Sequence, residues 1–195
     1  MIYFTSDLHL NHDREFIWKP RGFNFVDEMN RTIIDNINSV VKEDDSLYIL
    51  GDLMLNQEKQ KESIELLKEI KCCNIFIIAG NHDTDKRISE YIKWLFPIVW
   101  DCSKFELVKY ADMIKYNGYH FYLSHYPTFT SNLEKESLKQ CTINLYGHTH
   151  QKTNFYNDIP FMYHVGVDSH NCMPVSIEEI IRDIKVKYDE CKEML

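Results

Sequence analysis

Residues 75–83, Ile-Phe-Ile-Ile-Ala-Gly-Asn-His-Asp, join an apolar run typical of a buried strand to a cluster of polar side chains. Four other places in the chain repeat this arrangement, after the apolar runs 2–5, 47–50, 119–123 and 143–146. The five polar motifs are Asp7-Leu8-His9, Gly51-Asp52, Gly80-Asn81-His82-Asp83, Ser124-His125 and Gly147-His148-Thr149-His150. Because each motif begins where a strand ends, we expect all five to converge on one edge of a sheet.

Besides Asp83, the five motifs supply two carboxylates, five imidazoles and one carboxamide as metal-type side chains. These groups suit divalent manganese, iron, zinc or nickel, and manganese is favoured here. The motifs contain no cysteine, which argues against a structural tetrahedral zinc site. One D-x-H or H-x-H pair alone is weak evidence, but five motifs after five strands are strong evidence. The set is sufficient for two metals that share a ligand, and such a pair indicates phosphoester chemistry.

Composition predicts one domain over residues 1–195, long enough to bury a full core. The formal net charge is −8, which argues against binding to long duplex nucleic acid, since such binding needs a basic surface. Two divalent ions against two carboxylates and one hydroxide would still leave the pocket about +1. An acidic chain can therefore hold a cationic pocket for a phosphoester anion.

The chain begins without a basic and apolar leader, and no run approaches the ~20 apolar residues of a membrane helix. Six cysteines lie at scattered positions without a C-x-x-C pair. We therefore expect free thiols, a cytoplasmic location and no membrane partner. The oligomeric state is not predicted.

Hydrophobic periodicity predicts helices over residues 26–41, 59–70, 85–95 and 177–187. Further strands are expected over 98–100, 104–110, 113–116, 119–123, 143–146, 154–156 and 161–167. Asn117-Gly118 is a strong signal for a two-residue hairpin turn. Helical units thus come first, and an antiparallel or mixed half follows.

The motif order resembles the calcineurin-like metallophosphoesterase superfamily, whose pattern is D-x-H, G-D, G-N-H-D/E, H and G-H-x-H. The resemblance covers residues 1 to about 180. Smaller matches resemble a narrower group of bacterial and phage members: Thr5-Ser6-Asp7-Leu8-His9-x-x-His12, Arg21-Gly22-Phe23, Glu28-Met29-Asn30, Asp44-Asp45, Val165-Gly166-Val167-Asp168 and Pro174-Val175-Ser176. The resemblance implies an α/β fold, a four-layer αββα sandwich of two mixed β-sheets flanked by helices.

The resemblance also implies roles for individual residues. One metal would be held by Asp7, His9, Asp52 and His150, and the other by Asp52, Asn81, His125 and His148, so that Asp52 bridges. A hydroxide shared by the two metals would attack phosphorus in line. His82 would not bind metal; it would contact the phosphate and protonate the leaving oxygen. Asp83 is interpreted as a cap or an orienting partner.

Other residues give weaker signals. His12 and Arg21 are candidate contacts for a substrate phosphate, with a loop histidine and a surface arginine as the alternative interpretation. His164 stands where the narrower group more often has asparagine, so its role stays open, as does that of His170. The tyrosines and tryptophans occupy positions typical of a core, and no base-stacking platform is predicted from them.

The sequence therefore predicts a metal-dependent enzyme that hydrolyses a small phosphodiester or phosphomonoester. In the protein phosphatases of this superfamily, acidic and arginine residues come after Gly-Asp. In this chain Gly51-Asp52 is followed by Leu53-Met54-Leu55, and this difference favours a smaller substrate. One alternative is a scaffold that keeps the fold without catalysis, although such a protein would be expected to lack a ligand or His82. Another is a nuclease acting on short nucleic acid.

Overall fold

A computed structural model gives the arrangement of the chain. It describes residues 1–55, 58–85, 90–91, 104–107, 110–130 and 137–193.

A five-stranded sheet forms the first half of the molecule. Its strands are β1 (Ile2–Thr5), β2 (Ser46–Leu50), β3 (Asn74–Ile78), β6 (Phe105–Leu107) and β11 (Val175–Ser176). They lie in the order β11-β1-β2-β3-β6, in which β1 to β3 and β6 run parallel and β11 runs antiparallel to β1. Parallel strands need crossover segments, and these contain α1 (Glu15–Trp18), α2 (Val26–Val40) and α3 (Gln60–Lys68).

A four-stranded sheet forms the second half, in the order β10-β9-β8-β7. It contains β7 (Ala111–Tyr116), β8 (Tyr119–Ser124), β9 (Thr142–Tyr146) and β10 (Met162–His164). β8, β9 and β10 run parallel, and β7 pairs antiparallel with β8. Asn117 and Gly118 join β7 to β8 with φ values of 47° and 82°, as the predicted hairpin turn requires.

Two apolar cores lie on the two faces of the first sheet. Leu47 and Ile49 of β2 pack into one core with the helices α2 and α3, whereas Tyr48 and Leu50 pack into the other with strands of the second sheet. The alternation follows from the two-residue period of a strand. The closing helix α4 (Ile177–Glu193) buries isoleucines in this second core. The predicted α/β fold of two mixed sheets flanked by helices is therefore confirmed.

Three of the four predicted helices are present, at 26–40, 60–68 and 177–193. The helix predicted over 85–95 is wrong where the chain is described, because β4 (Thr84–Asp85) pairs antiparallel with β5 (Glu90–Tyr91). Thr84 and Tyr91 stand opposite each other, and both residue types favour strands. Pairing between neighbouring segments thus overrides a weak helical preference.

Some of the later strands are shorter than predicted. The strand expected over 154–156 is reduced to one bridge between Phe155 and Tyr163, because the chain enters a 3₁₀ turn at Tyr156–Asp158. The strand expected over 161–167 ends at His164, and the one expected over 104–110 is described only at 105–107. The strand predicted over 98–100 lies outside the described residues.

None of the helices described in the structure has the length and apolarity that a membrane crossing requires.

Shortening a buried side chain of β2 should lower the stability of the fold. Ile49 is completely buried, so Ile49→Ala should lower the free energy of unfolding by about 2–5 kcal/mol. The matched control is Val186→Ala on the exposed side of α4, which should change it by no more than about 0.5 kcal/mol. Urea unfolding followed by circular dichroism measures both, and equal effects would contradict the described packing.

Candidate metal centre

All five polar motifs lie at one edge, where the two sheets meet. β1, β2 and β3 point their carboxyl ends to this edge, as do β8 and β9. Main-chain hydrogen bonds fix neighbouring loops to each other: Asp7 N–H donates to the Gly51 carbonyl at 3.0 Å, and Gly147 N–H donates to the His125 carbonyl at 3.0 Å. The convergence expected from the strand ends is therefore present.

The two sheets are joined directly at the site. The backbone N–H of His148, which follows β9, donates to the Asp7 carboxylate at 3.0 Å. The Ser6 hydroxyl donates to the same carboxylate at 2.6 Å. Ser6 also forms a β-bridge with Gly166, beyond β10. The Asp7 side chain thus fixes the second sheet's loop against the first sheet's edge.

Five of the predicted ligands have left-handed backbone conformations. The φ values are 57° at Asp7, 48° at His9, 53° at Asp52, 68° at His148 and 48° at His150. Such values are uncommon for residues with a Cβ atom, although Asp and His tolerate them better than most. Unfavourable backbone conformations cluster at functional sites, where the surrounding structure holds them in place.

Two glycines allow the loops to approach closely. A Cβ atom on Gly80 would overlap the Asp52 carboxylate, and one on Gly147 would overlap the Ser6 hydroxyl and the Asp7 carboxylate. The glycine before each ligand segment therefore leaves space for a carboxylate from a neighbouring strand.

The predicted ligands form two groups. Asp7, His9 and His150 bring one ligand atom each to within 4.8 Å of one another. A second group has the same spacing and consists of Asp52, His125 and His148. The Asn81 carboxamide joins the second group, since its Oδ1 lies 3.0 Å from His125 Nε2.

Asp52 lies between the two groups. Its Oδ2 is 3.5 Å from Nε2 of His125, in its own group, and 3.8 Å from Nε2 of His9, in the other. The position is the one that a shared ligand would occupy. All seven residues predicted to bind metal are therefore brought together.

Hydrogen bonds orient two of the imidazoles. His125 Nδ1 lies 2.8 Å from the Leu50 carbonyl, which can only accept, and His150 Nδ1 lies 2.8 Å from Asp168 Oδ2. Each ring therefore carries a proton on Nδ1, and in its neutral form presents the Nε2 lone pair to the site. The donor set and its orientation fit divalent cations.

Burial and neighbouring charges shift the pKa values of the ligand side chains. Burial opposes ionisation of Asp52, but His125 and the His82 N–H outweigh it and lower the pKa of the Asp52 carboxyl. Burial favours neutral His125, yet hydrogen bonding to Asp52 and the charge of Asp7 raise its pKa to about 9. Burial lowers the pKa of His9 and of His148. A bound cation would replace the proton on His125.

Asp83 holds the loops after β2 and β3 together. Its carboxylate accepts the backbone N–H groups of Asp52 at 2.6 Å, Gly80 at 2.8 Å and Leu53 at 3.2 Å. Burial, together with the charge of Asp52, raises the pKa of Asp83 to about 7. These contacts agree with its interpretation as an orienting partner.

His82 stands at the mouth of the site. Its side chain is 35% exposed, and its Nε2 lies 3.9 Å from Asp52 Oδ2. Its backbone N–H donates to Asp52 Oδ1 at 2.9 Å, which fixes the residue beside the shared carboxylate. His82 can therefore reach a substrate from solvent.

The structure separates the two predicted phosphate contacts. His12 lies at the site, with Nδ1 3.4 Å from His9 Nδ1, and burial together with the charges of His82 and Arg14 lowers its pKa to about 4. Arg21 was also predicted to contact the substrate, but its side chain does not face the open site. Its side chain is 1% exposed and pairs with Asp168, and it donates to the Asp7 carbonyl at 2.9 Å.

Asp168 is the site residue to which the sequence reasoning gave no role. Its carboxylate accepts from His150 at 2.8 Å and from the Arg21 guanidinium at 2.9 and 3.1 Å. Burial disfavours its charge, but His150 and Arg21 lower its pKa below the ordinary range. An acidic residue directly after the apolar run 161–167 was the available signal.

The two histidines with open roles lie behind the ligands. His164 is buried in β10, with Nδ1 2.7 Å from the Ser169 hydroxyl. His170 Nε2 donates to the His164 carbonyl at 2.9 Å. Burial, with the charge of His170, lowers the pKa of His164 to about 3, so the ring is neutral.

The chain is similar to known proteins over most of its length. The chain is 34% identical over 192 residues to an uncharacterized protein of Methanocaldococcus jannaschii, covering 94% of this chain and 91% of that protein. It is 28% identical over 183 residues to the Gene 66 protein of Mycobacterium phage L5, covering 86% of each.

Among solved structures, a protein of unknown function from Aquifex aeolicus has the same fold. The TM-score is 0.67 at 24% identity, and the match covers 93% of this chain and 98% of the other. The model of the calcineurin-like phosphoesterase family matches residues 1–186. This match contains all five motifs and both ligand groups. The chain belongs to the calcineurin-like phosphoesterase family.

Proposed function

We propose that this protein is a two-metal phosphoesterase that hydrolyses a small phosphodiester or phosphomonoester. The observation that carries the proposal is the position of Asp52, within 4 Å of an imidazole nitrogen from each ligand group. In the proposal Asp7, His9, Asp52 and His150 hold one ion, and Asp52, Asn81, His125 and His148 hold the other. Manganese is the favoured ion, and iron, zinc or nickel also suits these ligands.

The ligand set explains why the pocket would attract phosphate. Asp7 and Asp52 are the carboxylates of the two groups, and the remaining ligands are neutral when they bind metal. Two divalent ions bound there would supply positive charge for the phosphate oxygens and a hydroxide at neutral pH. The pocket would then be cationic within a chain of net charge −8.

His82 is the proposed catalytic histidine. Its partly exposed ring lies beside Asp52, the carboxylate between the two ligand groups, so its Nε2 can contact the scissile phosphate. The same atom can hold a proton for the departing oxygen, which would otherwise leave as a poor alkoxide. The backbone hydrogen bond to Asp52 keeps the ring at this position.

Arg21 and Asp168 act in this proposal as positioning residues. Asp168 fixes the proton of His150 on Nδ1, and the buried Arg21 guanidinium holds Asp168 through two hydrogen bonds. Arg21 also donates to the carbonyl of Asp7. The pair therefore connects the backbone of one ligand to the ring of another.

Turnover of model substrates tests the main proposal. Aryl phosphomonoesters and phosphodiesters should be hydrolysed only when Mn²⁺, Ni²⁺ or Zn²⁺ is added. His82→Ala should lower kcat by about 10²–10⁴-fold with its metal retained, because a proton donor is lost. Asp52→Asn should lose metal as well as activity, as measured by elemental analysis.

The control is His120→Ala in β8, at the end of the strand away from the site, which should keep the wild-type rate. Failure of the wild-type protein to bind any of these metals would contradict the whole assignment. Metal binding without cleavage across a wide panel would instead favour the alternative of a scaffold without catalysis.

Acid should weaken metal binding. The four imidazole ligands bind as neutral rings, and the pKa of His125 is raised to about 9, so protons compete with the metal increasingly as the pH falls below that value. The apparent Kd for Mn²⁺, measured by calorimetry between about pH 8 and pH 5, should rise as the pH falls. A Kd that is constant over this range would contradict binding through histidine.

Loss of the Asp168 charge should weaken metal binding by the group that contains His150. In Asp168→Asn the amide can present N–H to His150 and favour the wrong tautomer, so Mn²⁺ affinity should fall about 10- to 100-fold. Arg21→Lys should have a smaller effect in the same direction, because one of its two hydrogen bonds to Asp168 is lost. The control Asp35→Asn, at an exposed carboxylate of α2, should bind normally. Unchanged affinity in Asp168→Asn would refute the positioning role.

A further inference from the structure

Exposed aromatic rings border the metal centre on two sides. Phe16 is 69% exposed and Tyr126 is 49% exposed, although large aromatic side chains usually bury most of their surface. Each ring contacts a histidine of the site. The expectation that the tyrosines occupy the core is therefore wrong for Tyr126.

Phe16 extends the site beyond the first ligand group. The short helix α1 buries Ile17 and Trp18 and turns Phe16 outward. The edge of the Phe16 ring meets His12 at 5.7 Å between centroids, and His12 lies 5.3 Å from His9. The ring is thus held beside the site by a helix whose neighbouring residues are anchored in the core.

Tyr126 extends the site beyond the second ligand group. Its ring centroid is 4.7 Å from that of His148 and 5.2 Å from that of His125. Its backbone carbonyl accepts the hydroxyls of Ser124 at 2.8 Å and Thr128 at 3.0 Å. The ring therefore projects from a fixed backbone and costs little entropy to order on binding.

The position of the rings defines what a substrate must carry. A phosphodiester with its phosphorus at the two ligand groups would have two organic substituents, which could extend towards Phe16 beside the first group and Tyr126 beside the second. An exposed aromatic face binds a planar group by stacking. Nucleobases are the commonest planar groups on biological phosphodiesters, so the two rings favour a nucleotide.

We propose that Phe16 and Tyr126 are base-binding subsites and that the substrate is a nucleotide phosphodiester. This inference rests on the proposed phosphoesterase function and specifies its substrate class. In the reaction a water oxygen bonds to phosphorus, the bond from phosphorus to one ester oxygen breaks, and that oxygen leaves with a proton. The products are a nucleoside monophosphate and an alcohol.

The charge of the chain limits the length of the substrate. Long nucleic acids are bound through a row of cationic side chains that replace counterions. Lys19 and Lys152, both near this edge, are already paired with Glu15 and Asp168. With a net charge of −8, the molecule favours one or two nucleotides, each recognised by its base.

Two chromogenic diesters with the same leaving group test the inference. They are the p-nitrophenyl ester of thymidine 5′-monophosphate and ethyl p-nitrophenyl phosphate, assayed with the full chain and Mn²⁺. Stacking on one ring should raise kcat/KM for the nucleotide over the ethyl ester by about 5- to 150-fold. The ratio divides out any effect that is common to both substrates.

Variants assign the preference to the rings. Because the thymidine ester carries one base, one of the two variants Tyr126→Leu and Phe16→Leu should lower the ratio, and the double variant should lower it whichever ring binds the base. Tyr126→Trp should keep the ratio because a flat ring remains. Tyr116→Leu, at the far end of β7 where its hydroxyl contacts Glu178, is the matched control and should keep the wild-type ratio.

The outcomes separate the two proposals. Hydrolysis of both esters at equal efficiency would overturn the base subsites and leave the phosphoesterase function intact. A wild-type preference that survives in the double variant would also overturn them. Hydrolysis of neither ester with any metal would remove the proposed function and this inference together.

Discussion

Each ligand group takes side chains from both sheets, and this constraint governs the whole molecule. Asp7 and His9 follow β1, whereas His150 follows β9; Asp52 follows β2, whereas His125 follows β8. The site is complete only while the two sheets keep their alignment. The hydrogen bond from the His148 N–H to the Asp7 carboxylate crosses the junction and holds that alignment. Cations bound across the same junction would stabilise the fold, since they bind only the folded chain.

The constraint also explains why so much unfavourable structure is concentrated at one edge. Left-handed residues, buried carboxylates and adjacent imidazoles each oppose folding. Asp83 offsets part of this opposition by accepting three backbone N–H groups, and Arg21 does so by joining Asp168 to the Asp7 backbone. Both side chains are buried and neither belongs to a ligand group. They act by holding the geometry that the ligands need.

The sequence predicted the parts that depend on strand ends. Strand periodicity and parallel pairing together specify the edge, so Asp52 and His148 could be assigned to one place without coordinates. Asn117-Gly118 specified its hairpin because only a few residues tolerate positive φ. Arg21 was misjudged for a physical reason: an arginine in a loop can turn to solvent or inward, and only the position of Asp168 decides. The helix predicted over 85–95 failed similarly, since Thr84–Asp85 pairs with Glu90–Tyr91 and this pairing overrides local preference.

The exposure of individual aromatic rings was the other property that could not be predicted from the sequence. The tyrosines were predicted to lie in the core, yet the loop after β8 turns the Tyr126 ring outward beside His148. Phe16 is outward for a different reason, because a single helical turn can bury only two of its bulky residues. Metal chemistry alone would accept any phosphoester that reaches it. The two rings therefore provide a basis for selection that the ligands lack, and the net charge of −8 disfavours long polyanions.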